Sequence, residues 1–414
     1  MANARVVIVG GGVAGLVCAR TLHEQGVSFH LLESADVVGG RVRTDTLNGF
    51  LLDRGFQVLL DSYSECQRQL DFEKLELRSF ESGALIRYQG RFVEFSDPWR
   101  KPSAVLKTLF ANNASLVDKI KLLSLRKDVR RPRGLKPSTT EQYLYGRGLS
   151  QRIVESFFRP FFGGVFLEKQ LSTNSGKFEY LFDKFSTGQA VVPRKGMGQI
   201  PLQLAQCLPQ ESIGLSSPVK SVAPKQVMLE NGTAIDAEAV VIATDDRTAA
   251  QLLGDPLPTK AHSVYCVYFA APKSEARRPI LVLNGDSDGP INHLCWLSAA
   301  ADEYASKGHD LLSVSVLSAD VQSVEDLSRQ CKEQLTAWYG AEAAQWEHLK
   351  TYEIKYALPV QDSRFKPGTL PLRHPSGTFR CGDYIEFASL NGAMKSGREC
   401  AEAVLESLKL SAAA

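Results

Sequence analysis

The chain lacks most of the features that would place it in a simple functional class. Its 48 basic and 46 acidic residues leave a net charge of +2, too little to hold a nucleic acid by charge alone. No uninterrupted apolar segment approaches the roughly 18 residues of a membrane-spanning helix. The first apolar run is short and interrupted by glycines, so no signal peptide is expected, and a cytoplasmic location is. The eight cysteines (Cys18, Cys66, Cys207, Cys266, Cys295, Cys331, Cys381 and Cys400) are scattered and form no C-x-x-C, which reads as reduced thiols rather than a disulfide framework. Cys18 is expected in the core. The seven histidines form no H-E-x-x-H and no clustered ligand set, so no metal is expected. The absence of a G-x-S-x-G elbow removes the case for a serine hydrolase. Low-complexity tracts and internal repeats are also missing. What remains is an ordinary globular composition, 44% hydrophobic and 23% charged. A length of 414 residues suits two or three domain-sized units.

The informative stretch is at the N-terminus. Residues 5–9 form an apolar run suited to a buried strand. Gly10, Gly12 and Gly15 then make G-x-G-x-x-G, with Val13 and Ala14 between them. Residues 16–25 have helical spacing, residues 29–32 are a second apolar strand, and Glu33 ends it. This is the strand–turn–helix–strand order that a dinucleotide requires. Gly10 permits the tight turn, Gly12 lets the backbone approach a pyrophosphate, and Gly15 lets helix and strand pack closely. The helix N-terminus offers unpaired N–H groups to phosphate. Glu33 can take both hydroxyls of an adenosine ribose. A purely structural glycine turn leaves Glu33 unexplained.

Gly39, Gly40 and Arg41 follow the acid, where an NAD site has no counterpart. Here the chain resembles the flavin-dependent amine oxidoreductase superfamily, which includes monoamine and polyamine oxidases, protoporphyrinogen oxidases and phytoene-type desaturases. The resemblance implies FAD, with Arg41 helping to neutralise its pyrophosphate; a solvated surface charge is the other reading of Arg41. A second match spans residues 380–400. It implies that Gly382 and Asp383 sit near the FAD ribityl or phosphate region. It also implies that Asn391, Gly392, Ala393 and Met394 open a helix beneath the flavin ring. Such a helix start would stabilise the negative charge of reduced flavin near N1 and O2. Residues 53–57 resemble the segment beside the isoalloxazine, which brings in Gly55 and Phe56. Pro193, Gly196 and Met197 resemble the P-x-G-G-M-like turn of relatives, with Lys195 in place of its first glycine. Val219 would pair its backbone with the adenine, or is an ordinary strand valine. Asn231-Gly232 between apolar alternations marks a hairpin.

The expected fold is α/β: a discontinuous Rossmann-like FAD-binding domain with an inserted α+β substrate domain. Residues 1–75, 190–260 and 375–414 would build the first, and 76–189 and 261–374 the second. The second insertion reads as an antiparallel sheet, with strands over 262–270, 279–283, 292–297, 311–317 and 347–358 and a helix over 321–339. The first insertion reads as largely helical. Residues 101–136 carry ten Lys and Arg against Asp118 and Asp128, interleaved with apolar residues. They are read as a helical lid with its cations in water, in preference to a helix on an anionic bilayer. Phe157, Phe158, Phe161 and Phe162 either wall a hydrophobic channel or pack a core, with packing preferred.

In amine oxidases a lysine on a substrate-domain strand holds a water near flavin N5. Tyr265 stands at the alignable position here. Tyr356 and Tyr384 are counterparts of the two aromatics that flank the flavin. Tyr265 and Tyr356 are therefore the substrate-side candidates, and no acid or base is named. The leading expectation is an FAD-dependent oxidoreductase that dehydrogenates a largely apolar small molecule, with hydride passing to N5 and oxygen or a quinone as acceptor. A flavin amine oxidase and a non-catalytic flavoprotein are the alternatives. No second glycine fingerprint offers a site for NAD(P)+.

Overall fold

The computed structural model describes residues 5–95, 116–129, 137–317 and 323–413. Its first layer is a five-stranded parallel sheet in the order Ile213–Gly214, Phe29–Leu32, Val6–Val9, Ala239–Ile242, Phe379–Arg380. Val6–Val9 and Ala239–Ile242 are wholly apolar and wholly buried, as central parallel strands covered on both faces must be. On one face lie the helices Val13–Glu24 and Leu390–Ala413. They cross at backbone contact, because a Cβ on Gly397 would lie 2.2 Å from the Ala14 carbonyl oxygen. On the other face Val7, Val9, Leu32 and Val240 pack against Val227 and Leu229 of a three-stranded antiparallel sheet. That sheet contains the hairpin Gln226–Leu229 and Ala234–Asp236, turned at Gly232 with φ +85°.

A second, seven-stranded sheet has the order Glu347–Pro359, Ala261–Pro272, His309–Leu317, Ile291–Trp296, Leu281–Asn284, Ala84–Tyr88, Arg91–Phe95. Every neighbouring pair is antiparallel except Leu281–Asn284 with Ala84–Tyr88. One face packs Val267, Phe269, Leu312 and Val314 against Leu327, Cys331, Leu335 and Trp338, all from the helix Val324–Tyr339. The five strands and the helix expected from the second insertion are present, with ends displaced by a few residues.

The first insertion is largely helical among its described residues, as expected, but it also adds two strands that were not. Helices do form over Thr140–Gly146, Arg159–Phe166 and Ser175–Thr187, but Ala84–Tyr88 and Arg91–Phe95 are strands of the large sheet. Their alternation is short and mixed in polarity. They are held by pairing Ala84 with Leu281, far away in sequence, and by Arg278, whose guanidinium bonds both Glu81 and Glu94. Of the basic stretch 101–136, residues 101–115 and 130–136 lie outside the described residues, and Leu116–Val129 is a helix. Among the described residues no helix is long and apolar enough to cross a membrane.

Candidate flavin and substrate cavity

A cavity of 1510 Å3 is walled by both the parallel sheet's loops and the large sheet. Sites for one drug-sized ligand usually measure about 300–1,000 Å3, so this one has room for more than a single small molecule. At one end it is walled by the glycine loop. Gly10 has φ +110°, and a Cβ there would meet the Ala243 carbonyl oxygen at 2.8 Å. A Cβ on Gly15 would lie 2.0 Å from the Gly10 oxygen, so Gly15 serves the strand–helix contact and does not line the cavity. Gly12 is the opposite case. It lines the cavity, and its Cβ position has no atom within 4 Å. Val13 and Ala14 line the wall beside it, where first-turn N–H groups lack intrahelical partners.

Glu33 lies at the end of Phe29–Leu32, buried in the same wall. Its Oε2 accepts from the Gly11 amide at 2.7 Å and its Oε1 from the Ala35 amide at 2.9 Å, which fixes the carboxylate. The next loop folds over the first: the Gly39 amide donates to the Gly11 oxygen at 2.9 Å, and a Cβ on Gly40 would sit 3.4 Å from Gly12 Cα. Arg41 follows. Its Nη2 meets Asp383 Oδ1 at 2.6 Å, and its Nη1 donates to the Ala357 oxygen at 2.9 Å. Burial works against the charge on Arg41, yet the Asp383 carboxylate beside it prevails and moves the guanidinium further up. Residues at positions 41 and 383 thus meet across the cavity wall, with Gly382, Ala393, Gly55 and Phe56 lining it nearby.

Four expected site residues lie elsewhere. Tyr265 is turned away: Val264 lines the cavity, and strand alternation sends Tyr265 to the opposite face, where its hydroxyl donates to Glu353 at 3.2 Å. Met394 is fully buried in the core. Asn391 is an anchor: its Oδ1 accepts from the Glu65 amide at 2.8 Å, and its Nδ2 donates to the Tyr180 hydroxyl at 2.9 Å. Val219 lies in the three-stranded sheet, paired with Leu229. Tyr356 does line the cavity; burial, with Asp246 beside it, pushes its phenol up.

The other end of the cavity is apolar. Phe157, Phe161 and Phe162 line it with Phe182 and Phe185 of Ser175–Thr187, while Phe158 is fully buried behind them. Pro160 gives this run its shape. It offers no N–H to the Ser156 carbonyl, and the chain widens into a π-turn over Val154–Phe158 before the helix resumes. Channel wall and core packing are therefore both present, divided among neighbouring phenylalanines.

Two further groups were not expected in the site by name. His293 lines the cavity, and burial pushes its pKa down to about 4. Asp53, the first residue of the flavin-like segment, lies fully buried. Its Oδ1 accepts from the Thr44 hydroxyl at 2.5 Å and the Met197 amide at 3.0 Å, and its Oδ2 from the Tyr304 hydroxyl at 2.8 Å. Burial, with no cationic partner among the described residues, moves it up to about 6, against the pull of those hydrogen bonds. Thr44, Met197 and Tyr304 converge on Asp53 from separate parts of the chain, so no local pattern shows the burial and bonding of this carboxyl.

The family model described as flavin containing amine oxidoreductase matches residues 13–405. The chain belongs to that family. Its cofactor is FAD, and the glycine loop, the fixed Glu33 and the open space at Gly12 suit a dinucleotide. Among curated relatives, protoporphyrinogen oxidase 2 of Arabidopsis thaliana is 24% identical over 165 residues, 39% of this chain and 32% of that protein. Putrescine oxidase of Kocuria rosea is 41% identical over 71 residues, 17% of this chain and 15% of that protein. The 4,4'-diapolycopene oxygenase of a Methylomonas species is 40% identical over 57 residues, 14% of this chain and 12% of that protein. These matches span at most about a third of the relatives' own length. In solved structures the similarity covers the whole fold. A double mutant of putrescine oxidase superposes with TM-score 0.75 at 17% identity, covering 98% of this chain and 99% of that one. Cyclohexylamine oxidase from Brevibacterium oxydans gives 0.73 at 18%, covering 98% and 100%.

Proposed function

We propose that the protein is an FAD-dependent oxidoreductase that dehydrogenates a largely apolar small molecule, with oxygen or a quinone as the final acceptor. The observation that carries this reading is the continuity of one cavity, from the glycine loop and Glu33 to the phenylalanine end. Residues 1–75, 190–260 and 375–414 would form the flavin-binding part, and the remainder the substrate part. Gly12, Val13 and Ala14 would bind the pyrophosphate, helped by Gly40 and Arg41. Glu33 would take the adenosine ribose, and Asp383, held by Arg41, the ribityl region. Bound FAD supplies the hydride acceptor at N5. Gly55, Phe56 and Ala393 would flank the ring. Phe157, Phe161 and Phe162 would orient an apolar substrate and exclude water from the reacting carbon. The helix Leu116–Val129 contributes Leu122 and Leu123 to the same wall and would act as a lid rather than a bilayer anchor. On that basis no cosedimentation with anionic liposomes is expected at low salt.

The deciding experiment is anaerobic absorbance of the FAD-loaded protein with a primary amine, a polyamine, protoporphyrinogen IX and a detergent-dispersed polyene in separate cuvettes. Bleaching by the tetrapyrrole or polyene alone is expected. Rapid bleaching by an amine would overturn the reading in favour of amine oxidation.

A further inference from the structure

The apolar end of the cavity contains one polar group whose hydrogen-bonding state can be deduced. His293, on Ile291–Trp296, is 5% exposed and lines the cavity. Its Nδ1 lies 2.9 Å from Asn292 Nδ2. The same Asn292 nitrogen lies 2.9 Å from the Pro160 carbonyl oxygen, which can only accept. That contact identifies the atom as the amide NH2, so Nδ1 of His293 must accept. A neutral imidazole that accepts at Nδ1 carries its proton on Nε2. Burial keeps the ring neutral across the physiological range, with its pKa pushed down to about 4. Gly164 is closely fitted to this pair, since a Cβ there would sit 2.6 Å from Nδ1 and 3.1 Å from Asn292 Nδ2. The ring therefore cannot flip without losing its partner.

The Nε2–H is then a single, neutral, fixed donor. Among the described residues it has no hydrogen-bond partner. Phe56 packs edge-on against the ring, with centroids 5.2 Å apart and planes inclined at 62°. A buried N–H without a partner is unfavourable, and an aromatic neighbour returns only part of the loss. We propose that His293 is a specificity-determining donor: once Phe56 turns aside, its Nε2–H binds an oxygen acceptor, such as a carbonyl, ether or hydroxyl oxygen, carried by an otherwise apolar substrate. The assignment rests on the apolar-substrate reading above and narrows it. A neutral donor of this kind would disfavour an ammonium group at the same place.

Equilibrium binding tests this without turnover. The probes are dibenzyl ketone and 1,3-diphenylpropane, which differ by one carbonyl, titrated into oxidised FAD-loaded protein and followed by the flavin absorbance. The quantity read is the ratio of their dissociation constants. This ratio should favour the ketone roughly fivefold to tenfold more in the wild type than in His293→Phe. His293→Gln, which retains a donor, should recover part of the difference. In the wild type the carbonyl stretch of bound 13C-labelled ketone should move to lower frequency, a measurement that needs no variant. An unchanged ratio in His293→Phe, an unshifted carbonyl, or failure of both probes to perturb the flavin would each overturn the assignment. So would a variant that loses FAD affinity while keeping the ratio, because His293 would then serve the cofactor. Bleaching of the flavin by an amine refutes the apolar-substrate reading separately, whatever the binding ratio.

Discussion

Asp53 offers a quantitative test of the buried network next to the cavity. Its carboxyl moves from 3.8 to about 6 on folding, so the native state binds a proton more tightly than the unfolded chain does. A shift of about 2 units corresponds to about 3 kcal/mol. The sign follows from linkage: this contribution is fully present below 3.8, declines as pH rises through the interval up to about 6, and is lost above it. Near neutral pH the protein therefore carries a desolvated carboxylate whose three hydrogen bonds only partly offset its burial. Asp53→Asn removes the charge and keeps the shape. Its amide oxygen still accepts from Thr44 and Met197, and the Tyr304 hydroxyl can accept from the new NH2 instead of donating. Re-forming that bond should cost about 1 kcal/mol, which leaves a net gain of about 1–2 kcal/mol near pH 7.5. The assay is urea unfolding of FAD-loaded wild type and variant at a series of pH values. Titrations common to both proteins cancel in the difference. The variant's advantage should grow with pH between about 4 and 6 and then level off. Parallel stability curves would refute the argument, and so would a variant that is less stable at every pH.

The two glycines of the N-terminal loop should respond in opposite ways. Gly12→Ala puts a methyl where no atom lies within 4 Å, so the unfolding midpoint should stay within about 0.5 kcal/mol while the flavin-to-protein absorbance ratio falls sharply. Gly15→Ala drives a Cβ to 2.0 Å from the Gly10 oxygen, so both folded yield and flavin content should collapse. Phe162 is 1% exposed and serves core and cavity together; Phe162→Ala should cost about 3–5 kcal/mol in denaturant unfolding as well as weaken apolar ligand binding. Tyr265→Phe should leave anaerobic flavin reduction within about twofold of wild type, because the ring faces away from the cavity.

Local chemistry made part of this molecule legible in advance. The run from Val6 to Glu33 states its conformation residue by residue: apolar strand, glycines where the backbone turns or touches, helix, apolar strand, acid. β-rich runs with turn residues between them likewise revealed the strands Ala261–Pro272, His309–Leu317 and Glu347–Pro359, since each is long enough to stand out from its surroundings. The strands Ala84–Tyr88 and Arg91–Phe95 were not legible, because five residues repeat too little and their pairing partner is distant. Tyr265 marks another limit. Alternation makes Val264 and Tyr265 face opposite ways, but which one meets the cavity depends on what covers each face of the sheet.

By itself, then, the sequence determined the dinucleotide loop, the α/β class and five of the seven strands of the large sheet, because those follow from contacts between near neighbours in the chain. Tertiary structure alone decided the rest. It set Arg41 against Asp383, buried Asp53 among donors from three segments, divided the phenylalanines between wall and core, and fixed the proton of His293 through Asn292 and Pro160. Each of these depends on groups brought together from distant parts of the chain, and burial there removes the water that would otherwise have satisfied them.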